Sequence, residues 1–140
     1  MMFSGEQIYQ LIPQRPPIVM VDTLWSAAES SAETGLHVSA DNLFVKDSVL
    51  WEPGLIEHIA QSSAAFAGYD TFIHGLAPRL GYIGEIKNCK IHSLPKVGTE
   101  LRTRIRLIAE AVGVSLIAAE TYVDDTLVAE CQMKIFIKED

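Results

Sequence analysis

The C-terminal half of the chain alternates between apolar and polar residues over long stretches, which is the pattern of β-strands. In the stretch LRTRIRLI, Arg102, Arg104 and Arg106 occupy every second position, between apolar residues and a threonine. The last stretch places the following residues on one face: Leu127, Ala129, Cys131, Met133, Ile135 and Ile137. Turn-forming residues lie at 94–98, 111–113 and 124–125. The pattern predicts four long strands between about Leu80 and Lys138.

The middle of the chain predicts one long helix. Residues 52–70, EPGLIEHIAQSSAAFAGYD, repeat apolar and small residues at helical spacing, and Pro53 suits the first helical position. The segment has almost no charge beyond Glu57. We therefore expect this helix to be buried on nearly all sides.

The first fifty residues predict shorter elements. A short helix capped by Ser4 should end before Pro13, because proline stops a helix. Next comes a stiff elbow, PQRPP, in which prolines occupy three of five positions. The apolar run at 18–25 predicts a strand buried on both faces near its start, residues 31–40 predict a second strand, and residues 41–50 predict a loop.

Together these elements predict an α+β fold, in which a curved antiparallel sheet wraps around one long central helix. A chain of 140 residues predicts a single domain covering residues 1–140. The net charge of −7 argues against nucleic acid as a partner. The absence of a long apolar run and of a secretory signal argues against a membrane span and predicts a cytoplasmic protein. The two cysteines have no motif spacing, and neither they nor the four histidines predict a metal site.

Glu57 is the main candidate for chemistry. On a helical wheel it shares a face with Gln61, Ala64 and Gly68, so that a carboxylate and an amide stand beside two residues that leave open space. A carboxylate on an apolar helix must be paired, neutralised or functional. The alternative is that Glu57 caps a neighbouring loop or pairs with an arginine across a subunit contact. The backbone N–H of Gly54, at the positive end of the same helix, is a candidate for polarising a carbonyl oxygen such as that of a thioester.

Two other features have competing interpretations. His58 points away from the Glu57 face, which favours a structural or interfacial role. The row Arg102, Arg104 and Arg106 is typical of a solvated sheet face, and the alternative is a docking patch for an acidic partner.

The elbow with its apolar run, and the helix with Glu-x-x-Ala-Gln from Glu57 to Gln61, resemble the hot-dog-fold 3-hydroxyacyl-acyl-carrier-protein dehydratases. The resemblance covers residues 8–138 and includes GYIGEIKNCKI, LPKVGTEL and DDTLVAECQMKIFI. It implies a hot-dog fold and an enzyme that removes water from a 3-hydroxyacyl thioester. In that family a histidine in the elbow works with the helix carboxylate of the other subunit of a dimer.

The chain departs from the family pattern at the elbow. Pro13, Arg15, Pro17 and Asp22 match the family, but Gln14 stands where the family has its histidine. Glutamine forms hydrogen bonds but does not titrate, so it cannot act as a base. The Gly-His-Phe-Pro-Gly segment that usually precedes the helix is also missing, and Gly54 lies closer to the carboxylate than is usual.

The resemblance therefore predicts a 3-hydroxyacyl thioester dehydratase of fatty-acid or polyene biosynthesis, a hydro-lyase without a cofactor. Glu57 would carry both proton steps, Gln14 would orient the thioester or the hydroxyl, and Gly54 and Gln61 would bind substrate. The substrate would be carried by acyl carrier protein or coenzyme A, and the protein would form a homodimer or an assembly of dimers. Two alternatives remain: a hot-dog thioesterase, and a non-catalytic acyl-binding subunit that has lost the histidine.

Overall fold

A computed structural model of the chain describes residues 2–78 and 81–137. The elements in chain order are β1 Phe3–Ser4, a 3-10 helix Gly5–Gln10, β2 Thr23–Ala27, β3 Ser31–His37, β4 Val45–Lys46, β5 Val49–Leu50, α1 Glu52–Ile73, β6 Gly81–Ile91, β7 Glu100–Ala111, β8 Val114–Val123 and β9 Thr126–Ile137. The four long C-terminal strands are thus confirmed, although the predicted limits Leu80 and Lys138 lie outside the described residues.

The strands form one large antiparallel sheet in the order β1-β2-β3-β7-β8-β9-β6. β4 and β5 pair with each other, inside the segment 41–50 that was predicted as loop, and Val49 also forms an isolated antiparallel bridge to Lys96. The sheet wraps around α1, so the predicted α+β hot-dog architecture is confirmed. Within the described residues, β1 and β6 form the two edges of the sheet, and β6 is by far the longer edge.

The central helix α1 is three residues longer than predicted at its C-terminal end. As expected, the residues from Gly54 to Gly68 are buried or half-buried, except Ala67, which is exposed. Beyond this point the helix emerges from the sheet, and Phe72 and Ile73 are 39% and 56% exposed. No helix in the described parts of the chain combines the length and apolar character that crossing a membrane requires.

The alternation in β7 is confirmed side chain by side chain. Leu101, Thr103 and Ile105 are at most 2% exposed, whereas the arginines between them face solvent. Thr103 tolerates full burial because its hydroxyl is hydrogen-bonded to the hydroxyl of Thr121 on β8, at 2.7 Å.

The prediction of a strand over residues 18–25 is wrong at its start, because β2 begins only at Thr23. Met20 and Val21 are fully buried, so the apolar run is part of the core without being part of the sheet. The backbone N–H and carbonyl of Met20 form hydrogen bonds with side chains of the helix instead of with a neighbouring strand. Its N–H donates to Gln61 Oε1 at 2.5 Å, and its carbonyl accepts from His58 Nδ1 at 2.7 Å. An apolar run with no periodicity fits a buried irregular segment as well as a strand.

The remaining N-terminal elements differ slightly from the prediction. The second strand ends at His37, not at residue 40. The short helix is a 3-10 helix in which the N–H of Ser4 is held by Gln7 Oε1 at 3.0 Å. It ends before Pro13, as predicted.

His58 is a buried link between the helix and two other parts of the fold. Since the Met20 carbonyl can only accept, His58 Nδ1 carries the proton, and Nε2 accepts from the Thr103 hydroxyl at 2.7 Å. Burial lowers the pKa of His58 from 6.5 to about 4, with the bond to Met20 and the charge of Asp22 opposing the shift in part. The structural role predicted for His58 agrees with these contacts.

We predict that His58 makes the fold sensitive to mild acid. The unfolded chain binds a proton at this imidazole near pH 6.5 and the folded chain only near pH 4, so stability is complete above pH 6.5 and falls between those values. The loss should reach about 3 kcal/mol at pH 4, since each pKa unit corresponds to about 1.36 kcal/mol. The measurement is urea unfolding from pH 7 to pH 4 for the wild type and His58→Gln, with His74→Gln as the exposed control. The same dependence of the free energy of unfolding on pH in all three chains would contradict the prediction.

Candidate functional site

A cavity of about 960 Å³ lies between α1 and the sheet. Small side chains of the helix, Ala60, Ser63 and Ala64, form part of one wall. Leu107 and Ile117 of the sheet form part of the opposite wall. Small residues on a buried helix leave space that larger side chains would fill, and the volume lies in the range of small-molecule sites.

Glu57 and Gln14 both line this cavity. Glu57 is half-buried and forms no ion pair with any of the described residues. The cavity lining, as far as the structure describes it, includes no lysine or arginine to neutralise this carboxylate. Glu57 is therefore a carboxylate that faces open space, and among residues 2–78 and 81–137 a single neighbouring amide donates a hydrogen bond to it.

That neighbouring amide belongs to Gln61, one helical turn away. Gln61 Nε2 donates to Glu57 Oε1 at 2.9 Å and also to the carbonyl of Ile18 at 2.8 Å. Gln61 Oε1 accepts from the N–H of Met20. Because both ends of the amide are bonded, its orientation is fixed, and a donor always faces Glu57. Gln61 is 1% exposed and lies behind the carboxylate, outside the cavity lining.

Gln14 is held by the elbow around it. Arg15 folds back on its own chain, with Nη1 donating to the carbonyls of Ile12 at 2.8 Å and Gln14 at 2.7 Å, and its guanidinium lies 4.9 Å from the centre of the Tyr9 ring. Arg15 therefore fixes the backbone of the elbow. The side-chain oxygen of Gln14 is buried and has no hydrogen-bond partner among the described residues.

Gly54 lies apart from the cavity. Its N–H donates to the carbonyl of Trp51 at 2.9 Å. A Cβ at this position would stand 2.6 Å from both Leu50 Cδ1 and Phe44 Cβ, so close packing requires glycine here. The structure thus brings Gln14 and Glu57 to one cavity, places Gln61 behind Glu57, and leaves Gly54 at the start of the helix.

The open space expected beside Glu57 is present at Ala64, and Gly68 also borders the cavity, but the Cβ direction of Gly68 is filled. A Cβ on Gly68 would stand 1.8 Å from the carbonyl oxygen of Leu11. This glycine allows the backbone that leads into the elbow to lie directly against the helix, and so helps to place Gln14.

The positive charge of the arginine row of β7 is partly offset by acidic and aromatic neighbours. Arg102 and Arg104 both contact the carboxylate of Glu33, each at 3.2 Å. Arg102 also lies over Trp25, 4.4 Å from the ring centre. These contacts favour the solvated sheet face over the docking patch, because one carboxylate already offsets part of the positive charge. No group of three or more potential metal ligands occurs among the described residues.

The backbone contacts of Gln61 could not be predicted from the sequence. Its partners, Ile18 and Met20, are more than forty positions away and contribute backbone atoms, which carry no residue-specific signal. The helical spacing of Glu57 and Gln61 did predict that the two side chains meet.

Comparison with known proteins places this chain in a family. The ApeP-like family, described as ApeP dehydratase, matches residues 6–140. The chain belongs to the ApeP-like dehydratase family.

Individual relatives are distant in sequence but cover the whole chain. The chain is 27% identical to the 3-hydroxyacyl-[acyl-carrier-protein] dehydratase FabZ of Sulfurovum sp. (strain NBC37-1), over 98% of both chains. It is 28% identical to the FabZ of Anoxybacillus flavithermus (strain DSM 21510 / WK1), over 99% of both. Among solved structures, a chain of the dehydratase heterocomplex ApeI:P from Xenorhabdus doucetiae superposes with a TM-score of 0.88 at 15% identity, covering 95% of this chain and 91% of that one.

We predict that the Gln61 amide is needed both for folding and for the orientation of Glu57. Gln61→Leu should lower the free energy of unfolding by about 2–3 kcal/mol, because it leaves the buried Met20 N–H and the half-buried Ile18 carbonyl without partners. Chemical denaturation measures this loss. Gln10→Leu, the same substitution at an exposed position of the 3-10 helix, should change stability by less than about 0.5 kcal/mol. Similar losses in both variants would argue against the role of the amide.

Proposed function

We propose that the chain is a dehydratase of 3-hydroxyacyl thioesters, with Glu57 as its proton-transferring group. The observation that carries the proposal is a carboxylate in the wall of a large cavity, which has no ion-pair partner in the described parts of the chain and is held in place by an amide of fixed orientation. The FabZ relatives support the substrate class, which is an acyl chain carried as a thioester on acyl carrier protein. Coenzyme A is the alternative carrier, since both present the acyl group on phosphopantetheine.

The reaction needs one group that first accepts a proton and then returns it. The Glu57 carboxylate removes the proton from carbon 2 of the acyl chain. The electron pair released forms the double bond between carbons 2 and 3 as the bond from carbon 3 to oxygen breaks. The protonated Glu57 then gives its proton to the departing oxygen, so that water and an enoyl thioester leave and the carboxylate is restored. Atoms and charge balance without a cofactor.

Gln61 and Gln14 support this chemistry in different ways. Gln61 keeps one oxygen of Glu57 occupied, which fixes the carboxylate and directs its other oxygen. Gln14 lines the same cavity and contacts the substrate. Neither glutamine exchanges protons in the mechanism, because a carboxamide does not titrate near neutrality.

The exposed edge of β6 supports a dimer. β6 pairs with β9 on one side only among the described residues, and Tyr82, Ile83 and Ile86 are 39–52% exposed along it. A long strand edge with apolar side chains is a site of association, and pairing two such edges around a twofold axis closes both. We propose a homodimer formed through β6.

A second candidate for the partner is a different hot-dog chain. The solved chain described above comes from a heterocomplex. The resemblance to the dehydratase family implies a histidine at the position that Gln14 occupies in this chain. A partner that brings its own histidine would supply the missing acid–base group to a site shared between the two chains.

We predict that Glu57→Gln abolishes dehydration while the fold is retained. The replacement is nearly isosteric and can still accept the bond from Gln61, but it cannot carry a proton, so the rate should fall by at least ~10²–10⁴-fold. Mass spectrometry of 3-hydroxyacyl and saturated acyl thioesters measures the products. Glu52→Gln, at an exposed position of the same helix, should retain the wild-type rate.

The products separate this proposal from its rivals. Loss of one water identifies a dehydratase, and release of the free acid would identify a thioesterase. A thioester that binds but remains unchanged would identify an acyl-binding subunit. Unchanged turnover in Glu57→Gln would place the reaction elsewhere.

We predict that the purified chain sediments as a dimer of about twice its 15.4 kDa at micromolar concentration. Ile86→Glu should weaken the dimer at least about tenfold, because it places a charge in the middle of the paired edge. Ile108→Glu, at a position of β7 that is 46% exposed, should leave the dimer intact. A chain that is monomeric alone, and dimeric only with a histidine-bearing hot-dog chain, would replace the homodimer with the second candidate.

A further inference from the structure

The side-chain oxygen of Gln14 is a buried acceptor without a donor. Its amide lines the cavity that also contains Glu57, yet Oε1 forms no hydrogen bond with any of the described residues. A buried carbonyl oxygen without a partner is costly, and such groups in native proteins require an explanation.

The elbow fixes the backbone that carries this side chain. The backbone before and after it is held by Arg15, which donates to the carbonyls of Ile12 and Gln14, and by the prolines on either side, Pro13 and Pro16. The terminal torsion of the Gln14 amide has a broad, roughly two-fold energy profile. About half a turn around it exchanges the oxygen and the nitrogen of the amide and takes the oxygen out of its buried position.

A carboxamide oxygen can only accept, so the group that satisfies it must be a donor. The substrate of the proposed function carries one donor at its reacting end, the hydroxyl on carbon 3. We propose that Gln14 Oε1 accepts the hydrogen bond of this hydroxyl and selects 3-hydroxyacyl chains over saturated ones. The assignment rests on the proposed function and gives it a substrate-recognition residue.

This arrangement is compatible with the proton transfers at Glu57. The hydroxyl hydrogen points to Gln14, and the lone pairs of the same oxygen stay free to receive the proton from Glu57. Gln14 therefore orients the leaving group without competing for the proton. A saturated chain offers no donor at carbon 3, so it leaves the amide oxygen unsatisfied, which is the basis of strong discrimination against substrates lacking a hydroxyl.

The test compares the affinity of pantetheine thioesters that differ only in the 3-hydroxyl. Binding is measured in the Glu57→Gln chain, so that neither ligand is converted. We expect the hydroxylated thioester to bind about tenfold more tightly than the saturated one. Adding Gln14→Met, which keeps the length of the side chain but removes the acceptor, should reduce this ratio to about one. Gln10→Met in the same background is the matched control and should leave the ratio unchanged.

Folding and recognition are separated by a second measurement. Gln14→Met should not lower the unfolding midpoint, since it replaces an unsatisfied buried oxygen with an apolar group. A preference for the hydroxyl that persists in Gln14→Met would overturn the assignment and leave the proposed function intact. If neither thioester binds, both the assignment of Gln14 and the proposed function are wrong. If the preference for the hydroxylated thioester depends on Gln14 but the wild-type chain does not dehydrate it, Gln14 remains the recognition residue. The protein would then be an acyl-binding subunit.

Discussion

The backbone of Met20 has no strand partner, and its two polar groups are satisfied by side chains of one helix. Gln61 accepts from its N–H, and His58 donates to its carbonyl, at 2.5 and 2.7 Å. Buried backbone groups must find partners, and here the partners come from two helix positions only three residues apart. This constraint joins the N-terminal segment, the central helix and, through the bond from His58 to Thr103, the sheet.

The same contacts prepare the site. Gln61 can present a donor to Glu57 because its oxygen is already committed to Met20 and its nitrogen also holds the Ile18 carbonyl. A donor that is fixed before substrate arrives needs no reorganisation during the reaction, which is the general advantage of a preorganised site. The segment that follows the elbow and the carboxylate are therefore both held by the amide of Gln61, which lies more than forty residues from Ile18 and Met20 in the chain.

The parts of the fold that follow a period were predictable, and the parts that depend on a single distant contact were not. The alternation in β7 predicted which side chains are buried, because the pleat of a strand imposes a period of two. The start of β2 was placed five residues too early, because an apolar run does not reveal whether its backbone is bonded to a strand or to a helix side chain. Likewise, no local pattern reveals that the backbone of Leu11 lies against Gly68 and leaves no room for a Cβ there.

Gln61 and Gln14 show how the same side chain takes opposite roles in one site. Gln61 has bonds at both ends of its amide and is 1% exposed, so any rotation would break contacts to the backbone of the core. Gln14 sits on an equally fixed backbone, but its oxygen is buried without a donor. An amide that is fully bonded in the free protein has nothing left to offer a ligand, whereas an unsatisfied one gains by meeting a donor. The distribution of hydrogen bonds thus separates the residue that holds the carboxylate from the residue that we propose recognises the substrate.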